Sequence, residues 1–189
     1  MSTVTTTTIP HFIPGTWTID PAHSEVSFTV RHLMVGKVRG RFAAFSGTIV
    51  TGLNPLHSQV SAEIDLASID TGNEQRDAHL RSAEFLNVEI HPRMSFRSTG
   101  VHPQRHGYLV IGELTLHGVT RPVELQLEVN GFVTDPWGGT RAGFSATGEI
   151  DRRNFGLDAT TPLAGGMLLS YEVQIAVEIE AVLTQTAPA

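Results

Sequence analysis

Apolar and polar residues alternate one for one along most of the chain. Over residues 171–183, Tyr171, Val173, Ile175, Val177, Ile179 and Ala181 fall on one side, and Glu172, Gln174, Glu178 and Glu180 on the other. A period of two is that of a half-buried β-strand, and a helix would scatter these residues around its circumference. From His23 onward, Val26, Phe28, Val30, His32 and Met34 share one face, opposite Glu25, Ser27, Thr29 and Arg31. The same period recurs at Val60 to Leu66, Met94 and Phe96, Tyr108 to Leu116, Val123 to Val129 and Ala142 to Ile150. Turn-forming clusters rich in Gly, Pro, Asn and Asp separate the runs, each short enough to join antiparallel neighbours. With the strands around Arg39 to Val50 and before Asp20, the count is about eight.

Eight antiparallel strands with one apolar face either stack as a sandwich or close into a barrel; the pattern permits both, and only closure removes exposed edges. Interior glycines at 40, 47, 112, 143 and 148 predict bulges or bends, which favours the barrel. Helical signal is confined to residues 71–86, where Thr71 and Glu74 form a capping-box pair, Asn73 is an alternative N-cap and Ser82 opens a second short turn. A second helical turn is expected within 161–169. Leu80, Phe85, Leu86, Leu163, Met167, Leu168 and Leu169 are the apolar contacts of these segments, placed to close a barrel end.

The charged residues of 71–85 read as a cap whose Asp77 pairs with Arg76, Arg81 or a basic strand residue, leaving Leu80 and Phe85 underneath. Arg152 and Arg153 read as solvated strand-end residues, with Phe155 pointing inward. The net charge of −6 and pI of about 5.8 argue against a nucleic-acid footprint. The absence of cysteine excludes disulfides and thiolate chemistry. Asp20, His23 and Ser24 supply the three letters of a hydrolase triad, but within one tight turn they cannot line up as nucleophile, base and orienter. No histidine pair has convincing metal-ligand spacing; His102 and His106 flank a hairpin loop and His117 a hairpin tip. The first 14 residues predict a Thr-rich disordered tail without a signal peptide or transmembrane segment, which gives a cytoplasmic expectation and one domain over 15–185.

Four segments together resemble the YceI-like family of lipocalin-like, polyisoprenoid-binding bacterial barrels: residues 17–47 (WTIDPAHSEVSFTVRHLMVGKVRGRFAAFSG), 68–99, 112–123 (GELTLHGVTRPV) and 143–157 (GFSATGEIDRRNFGL). The resemblance implies an all-β fold, an extended eight-stranded antiparallel barrel with one or two short helices closing an end. It implies an apolar tunnel holding one isoprenoid or fatty chain, with no catalytic residues, no metal and no catalytic cofactor. The partner is then a hydrophobic ligand of quinone or prenyl phosphate type, bound for transport, storage or sequestration; a homodimer is also suggested.

At about 3.3 Å per residue, less the tilt, such a tunnel is on the order of 25 Å long. Inward parity nominates Phe28, Val30, Met34, Phe42, Met94, Phe96, Leu114, Leu116, Phe144, Val173 and Ile175 for its wall. Leu80, Phe85, Phe155 and Met167 are placed at its end and Arg76 as a head-group contact. His32 is the polar member of its face, either a satisfied core histidine or a single hydrogen bond to the ligand. The alternatives are a filled barrel serving as an interaction or stress module and, more remotely, an enzyme acting on a bound lipid.

Overall fold

The computed structural model describes residues 9–32, 35–158 and 169–187. Every strand among the described residues belongs to one antiparallel sheet: β1 (Gly15–Ile19), β2 (Glu25–His32), β3 (Gly36–Phe42), β4 (Phe45–Thr51), β5 (Gln59–Asp65), β6 (Ile69–Asp70), β7 (Arg93–Pro103), β8 (Tyr108–Leu116), β9 (Val119–Thr134), β10 (Thr140–Asp151) and β11 (Leu169–Thr186). These are eight staves, because three are interrupted side by side. β1 runs on into β2 through a 3-10 turn at Pro21–His23, β3 into β4 across Ala43 and Ala44, and β5 into β6 through a 3-10 turn at Leu66–Ser68. β11 pairs with β2 along its first half and with β1 along its second, while β1 also pairs with β4. That last pairing closes the sheet into an eight-stranded antiparallel barrel.

Side chains replace the ladder bonds lost at the interruptions. Ser24 Oγ donates to the Glu180 carbonyl (3.2 Å) and accepts from the Glu180 N–H (2.9 Å). Ser68 Oγ accepts from the Ala44 N–H (3.0 Å) and donates to the Asp65 carbonyl (2.6 Å). Asp20 and Asp65 begin their turns by accepting from the N–H two residues on, at 3.0 and 2.9 Å. Short polar side chains compete with the ladder in this way, so an Asp or Ser in a strand-like run marks where pairing yields to a turn.

The helix α1 (Glu74–Arg81) starts at Asn73, whose Oδ1 accepts from the Arg76 N–H (2.9 Å). Thr71 is not the cap: its N–H and hydroxyl both donate to Asp77, at 3.0 and 2.5 Å. Asp77 is buried and held by Thr71 rather than by the arginine expected from the sequence. Residues 9–14 fall within the expected tail, yet Ile9, Phe12 and Ile13 pack against a core cluster of Trp17, Ile19, Ile49, Phe132, Phe144 and Ala181. Residues 1–8 and, of the turn expected within 161–169, residues 161–168 lie outside the described residues; Leu169 is the first residue of β11.

A second cluster fills the α1 end, with Leu66, Ile69, Leu86, Leu114, Leu116, Val123, Phe155 and Leu157. Of the glycines expected to mark bends, Gly143 lies at a register shift between β9 and β10, and Gly112 stands opposite Ser98 where β7 shifts register against β8. Gly40 and Gly112 also seat rings: a Cβ there would lie 2.4 Å from Phe28 Cζ or 2.3 Å from Phe96 Cζ. Among the described residues no helix is long and apolar enough to cross a membrane.

Candidate ligand-binding cavity

The inward faces of the staves enclose a cavity of about 330 Å³ whose wall is almost entirely carbon. Small-molecule pockets span about 300–1,000 Å³. The wall runs from Ile9 and Phe12 at one end to Leu80, Leu157 and Leu169 at the other. The structure brings Phe28, Val30, Phe42, Met94, Phe96, Leu114, Leu116, Phe144, Val173 and Ile175 together on this wall, joined by Arg76, Leu80 and Phe85 from α1 and the turn after it.

Two predicted residues sit elsewhere. Phe155 is 1% exposed in the packed core, because a 3-10 turn (Arg152–Phe155) ended by Gly156 in the left-handed region (φ 72) breaks the strand parity. His32 ends β2, opposite Gly36 and Leu169, beyond the last wall residue of that strand. Met34 and Met167 lie outside the described residues. Wall residues not singled out from the sequence include Val38, Val60, Val110, Leu127 and Val177. Their signal was the same alternation, so extending parity to every stave recovers them.

Burial around the wall is uneven. Val110, Leu114 and Leu116 of β8 are buried, whereas no residue of β2, of β3 before Gly40 or of β11 before Ala181 is. On the β2–β3–β11 side the inward side chains face the cavity and not a second packed layer.

Most polar groups on the wall are engaged by the protein itself. Thr51 Oγ1 receives Trp17 Nε1 (2.8 Å) and donates to the Ile13 carbonyl (2.8 Å). Ser98 Oγ accepts from the Val60 N–H (2.9 Å), filling a ladder position where β7 shifts register. Two cations reach the wall at the α1 end. Arg76 donates to the Thr71 hydroxyl (2.7 Å) and carbonyl (2.9 Å), both neutral acceptors.

Arg152, expected to be solvated, is 3% exposed. It donates to the Ser170 carbonyl (3.2 Å) and the Leu157 carbonyl, and its guanidinium lies 5.0 Å from the Tyr171 ring centroid. Burial pulls its pKa below the usual arginine value. Arg153 is the solvated member of the pair, bound to Asp151.

Outside the barrel, Arg141 bridges Asp20 (3.1 Å), Asp135 (3.1 Å) and Glu180. Asp20, His23 and Glu180 offer ligand atoms within 4.8 Å of one another, a grouping that the sequence did not reveal because it joins the turn after β1 to the distant β11. Arg141 already supplies positive charge between two of them. The Ser24 hydroxyl is committed to both backbone groups of Glu180, which removes the nucleophile from the Asp20–His23–Ser24 reading.

A closed antiparallel barrel with a carbon-lined interior belongs to the class of barrels wide enough to hold one small ligand. The chain is a member of the YceI-like domain family, which it matches over residues 17–181. It is 42% identical over 161 residues to a UPF0312 protein of Serratia proteamaculans, covering 85% of this chain and 81% of that one. It is 41% identical to Protein YceI of Salmonella newport, with 85% and 82% covered. Among solved structures, Burkholderia cenocepacia BcnA superposes with a TM-score of 0.76 at 21% identity, covering 86% of this chain and 98% of that one. A polyisoprenoid binding domain from Saccharophagus degradans, implicated in plant cell wall breakdown, gives a TM-score of 0.70 at 19% identity, with 91% and 99% covered.

Proposed function

We propose that the protein is a non-catalytic binder of one long-chain polyisoprenoid or related amphiphile, held inside the barrel for transport, storage or sequestration. The observation that carries this reading is the continuous carbon-lined cavity between the two packed ends. A filled barrel serving as an interaction module would leave no such space. Burying a dozen carbons at about 0.8 kcal/mol each contributes roughly 10 kcal/mol gross, which exceeds a several-kcal/mol association cost. Affinity therefore needs no polar anchor. Arg76 and Arg152 place positive charge at one end of the wall, so a quinone carbonyl or prenyl phosphate lies there and the tail points toward Phe12. The structural likeness to a polyisoprenoid binding domain is consistent with this reading.

Uptake of a radiolabelled polyprenol, followed by gel filtration, tests it with the Ala146→Trp variant. Ala146 is on the wall, and an indole there displaces two or three methylenes of ligand, a loss of about 2 kcal/mol or roughly thirtyfold in affinity. Uptake unchanged in a folded variant would place the lipid outside the barrel. The Arg152→Gln variant is expected to lose affinity for a prenyl phosphate while keeping that for the matching alcohol.

A further inference from the structure

We propose that the outer face of the β2–β3 hairpin is a docking surface for an anionic lipid bilayer, from which the barrel exchanges its ligand. This rests on the lipid-binding reading above and adds the place and chemistry of exchange. The inward residues of the hairpin, Phe28, Val30 and Val38, line the cavity; the alternate residues, Arg31, Lys37 and Arg39, are exposed on the outside. Arg31 stands directly opposite Lys37, and Arg39 opposite Thr29. Like charges facing each other across a strand pair repel. Arg41, the next cation along, is paired with Asp70 at 3.1 Å, whereas Arg31, Lys37 and Arg39 form no ion pair with any described residue. Lys37 is the only lysine of the chain.

Two features favour a bilayer over a nucleic acid or an acidic protein. Val35, beside these cations in the hairpin connection, is 90% exposed, and an apolar side chain in that position gains on entering a headgroup layer and loses in water. The hairpin is also a wall of the cavity, since Phe28, Val30 and Val38 line it directly behind these cations. The protein as a whole carries a charge of −6, so a negatively charged surface repels most of it and attracts this face. Docking here sets the cavity one strand layer from the membrane, behind Phe28, Val30 and Val38.

Flotation with phosphatidylglycerol-containing vesicles, against pure phosphatidylcholine, tests the proposal on the full chain. The wild type is expected to float with the anionic vesicles at low salt and to be released as salt rises. The triple variant Arg31→Gln, Lys37→Gln, Arg39→Gln should lose on the order of a hundredfold in partitioning, since each basic residue near such a surface contributes about fivefold. Val35→Asp should weaken it further, with circular dichroism and solvent-delivered polyprenol uptake unchanged in both variants. Trp137, 86% exposed on the β9–β10 hairpin, is the control site, and Trp137→Ser should float like the wild type. Equal binding to neutral vesicles, loss only in the Trp137 variant, or binding to an oligonucleotide but not to vesicles would overturn the docking surface. Failure of polyprenol uptake with intact flotation would instead count against the lipid-binding reading.

Discussion

β8 and β11 carry the same alternation and both face the cavity, yet they end in different environments. On β8, Tyr108, Val110, Leu114 and Leu116 are buried; on β11, Val173, Ile175, Val177 and Ile179 are half-buried although they point the same way. The difference comes from what lies beyond the strand. Leu114 and Leu116 meet Phe155 and Leu157, which a 3-10 turn folds into the barrel end, together with Leu86 from the segment after α1. Ile175 and Val177 face β2 neighbours that are themselves half-buried, Phe28 and Val26. Alternation fixes which side of a strand is interior, whereas only a second layer decides whether the interior is filled.

The largest effect is expected at the packed end opposite α1. Trp17 is fully buried, donates to Thr51 at 2.8 Å and packs edge-on against Phe132 at 5.4 Å. Trp17→Ala should cost about 4 kcal/mol in urea unfolding, the usual range for a large core truncation. A cost under about 1 kcal/mol would show that this end is not a load-carrying plug of the barrel. Gly112→Ala comes next: a Cβ 2.3 Å from the Phe96 ring must displace it, which should destabilise by about 1–3 kcal/mol and narrow the cavity. On the β11 wall, Val173→Ala removes half-buried, cavity-lining methyls and should cost less than about 1 kcal/mol in stability while still reducing polyprenol affinity measurably. Equal stability losses at Trp17 and Val173 would erase the distinction between a plug and a ligand wall.

The smallest effect concerns pH. The Asp20 carboxyl is held below its usual range by the His23 hydrogen bond first and by Arg141 second. A lowered folded-state pKa gives stability that is full above the unfolded value of about 3.9 and is lost as pH falls through the folded one. Asp20→Asn should therefore lower the Tm near pH 6, with the gap from the wild type closing below about pH 4. A gap independent of pH would assign the loss to the turn geometry instead of the charge.

The staves and their inward faces were readable because period-two alternation survives in β2, β8 and β11 without interference. Asn73 as a helix start was also readable, as one of two candidates. The turn at 20–24 was readable from Asp20 and Pro21, but the interruptions at 43–44 and 66–68 were not, since Ser68 bonds to a backbone group on another strand and local pattern carries no trace of such a partner. Pro122 hid the first turn of β9 for a related reason. It reads as a breaker, but β9 has no β10 partner before Leu125, so a missing N–H at Pro122 costs at most an edge bond. Arg152 illustrates the converse: a second arginine beside it looks like a solvated pair, yet the turn sends one guanidinium inward among Phe85, Tyr171 and backbone carbonyls and leaves the other with Asp151.

Native mass spectrometry of the purified protein, followed by organic extraction, decides whether the barrel carries a lipid. A discrete apolar ligand near one per chain is expected, released by solvent and reduced in the Ala146→Trp variant. A protein that is empty as purified and takes up no prenyl lipid when offered one would contradict the lipid-binding reading.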